Sequence, residues 1–163
     1  LEHAEQLCRE MQTPDQLAQT LDRQAHHRTD INELDKAMEQ LLEAESIYRS
    51  TLQNDMLLAS NLLSQATILE KQERYEASLQ RLEEAEPLCR RSGNKQLLLM
   101  NLWSQSSLLA LSIPQQIPAA ELYSRMLQVT KEAGELAQKL AFDEIATSLL
   151  GQADKLSALL KSL

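Results

Sequence analysis

Apolar and small residues recur along this chain at intervals of three and four positions, the spacing that places side chains on one face of an α-helix. Leu62, Ala66 and Leu69 form one such series, and Leu82 and Ala85 belong to the next. Helix-breaking residues separate the series. The pattern predicts helices over residues 1–11, 15–30, 34–52, 55–72, 75–92, 95–112, 118–133, 135–149 and 152–162.

The predicted breaks between helix pairs are marked by residues that end helices or cap the next one. They fall at Pro14, Asn54, Gly93 with Asn94, and Gly134. Residues 113–118 carry a proline near each end and read as a longer loop. We therefore expect short connections between most helices.

Two segments of the sequence repeat at the same interval, which predicts a repeat protein. The offsets are 40 and 41 residues. The first segment occurs at 1–9, 41–49 and 82–90, and the second at 21–25, 62–66 and 102–106, with a degenerate copy at 142–146. We expect one domain over 1–163, made of a partial unit 1–13, units 14–54, 55–94 and 95–134, and a degenerate or capping unit 135–163. Because the first unit lacks one helix, the chain is interpreted as a fragment of a longer protein.

The helix pairs carry a recognisable pattern of large and small residues. The first helix reads Leu62, Gln65, Ala66, Leu69, and the second reads Tyr75, Ser78, Leu82, Ala85. This pattern resembles the tetratricopeptide repeat (TPR) family in its longer form of about 40–42 residues, as in kinesin light chains, nephrocystin-like proteins and STAND-type signalling ATPases. The resemblance implies an all-α fold, a right-handed α-solenoid of antiparallel helix pairs. One departure is that Gln24, Gln65 and Gln105 replace the usual leucine.

The same resemblance implies a binding surface, because the first helix of each pair lines the concave groove in that family. The positions carried over are Asp22, His26, Leu63, Thr67, Lys71, Met100, Trp103, Ser107 and Leu111. Four of them are apolar and would form an exposed patch, which usually marks a contact site. Packing of Trp103 against a neighbouring helix is the alternative, and the sequence leaves it open.

Two functions remain open on these grounds. The first is a scaffold for protein–protein interaction that binds a peptide or a partner helix in its groove. The second is self-association, or a regulatory or sensor segment of a larger signalling protein. A homodimer would use the apolar patch or the C-terminal helices, where Leu156, Leu159, Leu160 and Leu163 are apolar.

Composition and charge narrow the possible fold, partners and location of the protein. The 163 residues are 43% hydrophobic but 3% aromatic, with three glycines, which favours helices over sheets. The net charge of −8 disfavours nucleic acid and anionic membranes as partners. No window is apolar enough to predict a spanning helix. Two cysteines fit a reducing compartment, so a cytoplasmic location is expected.

The residues that carry chemistry in other proteins form no complete site here, so no enzyme, cofactor or metal is expected. His26 and His27 are adjacent and point about 100° apart on a helix, so they cannot chelate together. Cys8 and Cys89 stand two repeats apart, beyond the reach of a disulfide. They are interpreted as packing residues whose counterparts are Tyr48 and Thr130. The recurring glutamates at 43–45 and 83–86 read as a solvated helix face.

Overall fold

All regular elements in the described part of the chain are helices, which confirms the predicted all-α class. The computed structural model describes residue 6 and the ranges 13–111 and 119–162. The helices are α1 (Pro14–Asp30), α2 (Leu34–Ile47, extended by a π-helical turn Tyr48–Leu52), α3 (Asp55–Lys71), α4 (Tyr75–Ser92), α5 (Lys95–Leu111), α6 (Ala119–Lys139) and α7 (Asp143–Leu160). The predicted loop 113–118 and almost all of the predicted helix 1–11 and partial unit 1–13 lie outside the described residues.

The chain divides into two compact units between Ser92 and Gly93. The first unit contains α1 to α4, and the second contains α5 to α7. The division falls close to the predicted boundary between the repeats 55–94 and 95–134. Each unit is described by itself below.

Two of the predicted breaks are helix caps that occupy equivalent places, one in each unit. The side chain of Asn54 accepts hydrogen bonds of 3.1 Å from the amides of Met56 and Leu57, at the start of α3. Asn94 accepts a bond of 3.0 Å from the amide of Leu97, at the start of α5. Such caps satisfy amides that the first turn of a helix leaves unpaired.

Three helix hairpins, α1–α2, α3–α4 and α6–α7, share one turn geometry. Asn32, Glu73 and Ala141 adopt left-handed conformations at φ of 62°, 58° and 60°. In each turn, the amide that follows this residue donates to a carbonyl five positions back, over 2.8, 2.9 and 3.0 Å respectively. These bonds are those of a Schellman-type helix end. The sequence predicted the first two turns but not the third.

The predicted break at Gly134 is wrong, because α6 continues through it to Lys139. The predicted helices 118–133, 135–149 and 152–162 are therefore replaced by α6 and α7. A methyl group at Gly134 would lie 2.9 Å from the side chain of Leu150, so this glycine permits a close approach of the two helices. Gly151 lies inside α7 and has open space around it.

The α6–α7 hairpin has the same register as the two hairpins of the first unit. Ala25, Ala66 and Gly134 each stand seven positions before the left-handed residue of their turn, and all three are buried. The small residue on the second helix is equally constant, being Ala37, Ser78 and Ala146. The predicted start of the last unit at residue 135 consequently falls inside a helix.

The core of the first unit is formed where these small positions let the helices approach. Ala25, Ala37, Leu41 and Ile68 pack together and are 0–1% exposed. Tyr48 and Cys89 in the first unit and Thr130 in the second are also buried, as their predicted packing role requires. Cys8 lies outside the described residues.

Candidate functional site

Helix α5 of the second unit carries an exposed apolar stripe. Met100, Trp103 and Leu111 are 57%, 44% and 56% exposed. Ser107 is exposed between them, so the four side chains follow helical spacing along one face. Trp103 is therefore at the surface of the second unit and not in its core. We call these four residues the α5 stripe.

The equivalent face of α3, 40 positions earlier, differs in character. Leu63 is buried, so its expected place in an exposed apolar patch is wrong. Thr67 is exposed, and its hydroxyl donates to the carbonyl of Leu63 over 3.1 Å. The ammonium group of Lys71 donates to the carbonyl of Thr29 over 3.3 Å and so joins α3 to α1. This face is therefore mainly polar.

The two predicted residues on α1 have different surroundings. Asp22 is partly buried and accepts hydrogen bonds from the Tyr48 hydroxyl (2.5 Å) and the Asn61 amide (2.7 Å). Burial raises the pKa of Asp22, although both hydrogen bonds act in the opposite direction. His26 is exposed, with Nε2 3.3 Å from the Ser64 hydroxyl. Asp22 is thus held by internal partners, and of the two only His26 is exposed.

The predicted site residues consequently fall into two sets. Asp22, His26, Leu63, Thr67 and Lys71 belong to the first unit, whereas the α5 stripe belongs to the second. The stripe is the part of the predicted surface that is both apolar and exposed.

Sequence reasoning missed a buried polar network in the first unit. The Gln65 amide donates to the Glu45 carboxylate (2.7 Å) and to the Asn61 side chain (2.8 Å), and Asn61 in turn reaches Asp22. The signal in the sequence was the glutamine that replaces leucine at 65, with an asparagine one turn before it. The pair recurs on α5, where Gln105 donates to Asn101 over 2.7 Å.

An arginine–glutamate ring closes this network towards α4. Glu45 pairs with Arg49 at 2.7 Å and with Arg81 at 3.8 Å, Arg81 pairs with Glu84 at 3.2 Å, and Arg49 also contacts Glu84. Burial alone would raise the pKa of Glu45, but hydrogen bonds from Gln65 and Arg49 and the nearby arginine charges lower it below its ordinary value. The ring joins α2 to α4, and Glu45 is buried, so the interpretation of these glutamates as a solvated face is wrong for Glu45.

The thiol of Cys89 is buried within the first unit. Burial raises the pKa of the Cys89 thiol to about 11, so the nucleophilic thiolate is scarce near neutral pH. Across residue 6 and the ranges 13–111 and 119–162, no three His, Cys, Asp or Glu side chains come together as a metal site. None of the described helices has the length and hydropathy to cross a bilayer.

Solved protein structures include chains that are similar to this one. No family model and no curated protein sequence matches this chain. Among solved structures, the chain is similar to BtubC (BKLC) from P. vanneervenii, with 15% sequence identity and a TM-score of 0.47. The similarity covers 92% of this chain and 66% of that chain, so this sequence spans just under two thirds of its length. A likeness at this TM-score defines neither a family nor a function for the present chain.

Proposed function

We propose that this chain is a protein-interaction scaffold of the tetratricopeptide type, a right-handed α-solenoid of helix pairs that binds a segment of another protein. The support is the sequence period of 40 to 41 residues, together with the turn and the small buried positions that recur in three hairpins. Repeats of this kind complete their cores against neighbouring repeats and present extended surfaces to partners.

The observation that carries the proposal is the α5 stripe. Large apolar side chains that stay exposed in a group mark contact sites, and Trp and Met are favoured there. From Met100 to Leu111 the stripe extends about 16 Å along the helix axis. That length suits two to three turns of a partner helix with apolar anchors at i, i+3 or i+4, and i+7. The proposed occupant is therefore the apolar face of a partner's amphipathic helix.

The distribution of charge indicates how this contact is driven. Residues 1–92 contain 10 Lys and Arg against 18 Asp and Glu, whereas residues 93–163 contain 6 of each. The stripe thus belongs to an electrically neutral unit. Burial of apolar area, which salt does not screen, should dominate binding there. We expect an affinity that changes little with ionic strength.

Site-specific photo-crosslinking tests the location of the contact. A photoreactive residue at Ser107, inside the stripe, should crosslink a partner in cells that produce this protein. The matched control is Thr67, an exposed position 40 residues earlier on α3. A product at 107 and none at 67 supports the stripe. Equal products at both positions, or a product at 67 alone, would contradict it.

Self-association is the second candidate, favoured by apolar exposure elsewhere in the second unit. Phe142 and Leu159 are 39% and 49% exposed. Light scattering over a wide concentration series measures the mass directly. A mass that rises above 18.4 kDa with concentration supports self-association, and a constant 18.4 kDa excludes it for this chain.

A further inference from the structure

The first unit contains a cleft that the proposed function does not use. It measures about 520 Å³ and opens between α2, α3 and α4. Met38, Leu42, Leu69 and Ala77 supply its apolar lining. Leu42 is 44% exposed, so part of this apolar surface is left uncovered. The volume lies within the range of ordinary ligand pockets.

One lining cation forms no ion pair with the described residues. Arg81 lines the cleft and pairs with Glu84, which also lines it, at 3.2 Å. Arg74 lines the cleft as well, and it is exposed. Its guanidinium forms no ion pair within the described ranges, although its backbone amide closes the α3–α4 turn. A guanidinium without an ion pair is suited to binding a carboxylate, because it can donate two parallel hydrogen bonds to it.

A buried acceptor in the cleft lining also lacks a donor. Gln65 is 0% exposed and lines the cleft. Its amide nitrogen already donates to Glu45 and Asn61, which fixes the orientation of the side chain. The remaining oxygen, Oε1, has no hydrogen-bond partner in the part of the chain described. An unpaired buried acceptor is costly, so a ligand N–H that reaches Oε1 after a small shift of the Gln65 side chain would form a stabilising bond.

We propose that this cleft binds a short peptide segment with one aliphatic side chain followed closely by one carboxylate. The aliphatic side chain packs against Leu42 and Met38, the carboxylate accepts hydrogen bonds from Arg74, and a peptide N–H donates to Gln65. The acidic surroundings limit the ligand to a single negative charge, since residues 1–92 carry an excess of eight acidic groups. The cleft belongs to the first unit and the α5 stripe to the second, so the two proposals succeed or fail separately.

The test is a titration of the ¹⁵N-labelled chain with two synthetic peptides, followed by NMR. Acetyl-Leu-Gly-Asp-amide is the probe, and acetyl-Leu-Gly-Asn-amide is the same peptide without the charge. The amide signals of Leu42, Arg74 and Ala77 should shift saturably with the Asp peptide. The Asn peptide should bind about tenfold more weakly, because it loses a charge-assisted hydrogen bond.

Three substitutions at exposed positions separate the contribution of the Arg74 charge from that of the apolar contact with Leu42. Arg74→Gln should remove the preference for the Asp peptide, and Leu42→Ser should weaken both peptides equally. Arg23→Gln, which changes an exposed arginine on α1, should leave binding unchanged and serves as the control. Equal binding of the two peptides, shifts away from the cleft, or the same loss in Arg23→Gln as in Arg74→Gln would overturn the proposal.

Discussion

Gly134 offers a sharp test of how the second unit is packed. In an exposed helix interior, replacement of glycine by alanine stabilises a protein by about 0.8–1 kcal/mol. At Gly134 the new methyl group would meet Cγ and Cδ2 of Leu150 at 2.9 Å and its backbone nitrogen at 3.3 Å. At Gly151, on the neighbouring helix, it would meet nothing within 4 Å. The two glycines therefore differ in packing while sharing the same helical preference.

The expected change in the free energy of unfolding follows from overpacking and helix propensity. Overpacking of a well-packed interface costs about 1–3 kcal/mol, which exceeds the gain in helix propensity. We expect Gly134→Ala to lower the free energy of unfolding by about 1 kcal/mol. Gly151→Ala should raise it by about 1 kcal/mol. In a Leu150→Ala background the two 2.9 Å contacts are gone and the contact with the backbone nitrogen remains, so Gly134→Ala should destabilise less than it does with Leu150 present.

Urea unfolding measures these changes in the unit concerned. Trp103 is the single tryptophan of the chain and belongs to the second unit, so its fluorescence reports on that unit. Linear extrapolation gives the free energy, and an unchanged m-value shows that the variants unfold in the same way. If Gly134→Ala stabilised the unit as much as Gly151→Ala, the close approach of α6 and α7 at Leu150 would be refuted.

Two further predictions concern titrating groups in the first unit. The pKa of Glu45 lies below its ordinary value of 4.5, so its contribution to stability is complete above that pH and is lost as the pH falls through the folded-state pKa. Glu45→Gln should therefore reduce the loss in the free energy of unfolding as the pH falls. Urea unfolding followed by circular dichroism at several pH values measures this loss. An unchanged loss at acid pH would contradict a stabilising role of the Glu45 network. In a Cys8→Ser background, Cys89 should react with a disulfide reagent about two orders of magnitude more slowly in the folded chain than in urea, because burial suppresses its thiolate. Equal rates in the two states would show that the thiol is accessible.

The helices from 15 to 112 could be predicted because their amphipathic period and their caps are local features of the sequence. Asn54 and Asn94 mark helix starts in both the sequence and the structure. Gly134 misled the prediction, since glycine serves both at helix ends and where helices approach closely. Only the position of Leu150 on the next helix distinguishes the two uses.

The candidate site was predicted in part for a similar reason. The family resemblance placed Met100, Trp103, Ser107 and Leu111 on one face, and all four are exposed, but a resemblance does not reveal what covers a face. Leu63 has the place on α3 that Trp103 has on α5, yet it is buried whereas Trp103 is exposed. Asp22 was carried over as a groove residue, and its partners Tyr48 and Asn61 come from helices far along the chain. Such partners become visible only when the tertiary contacts are known.

The central claim is that the α5 stripe binds a partner helix. The most direct measurement is the affinity of the crosslinked partner, once isolated, for Trp103→Ala and for the control Met56→Ala, an exposed apolar residue of the first unit. Circular dichroism must show that both variants are folded. The account predicts a loss of about 2 kcal/mol or more for Trp103→Ala and no change for Met56→Ala. Unchanged affinity in the folded Trp103→Ala variant would contradict it.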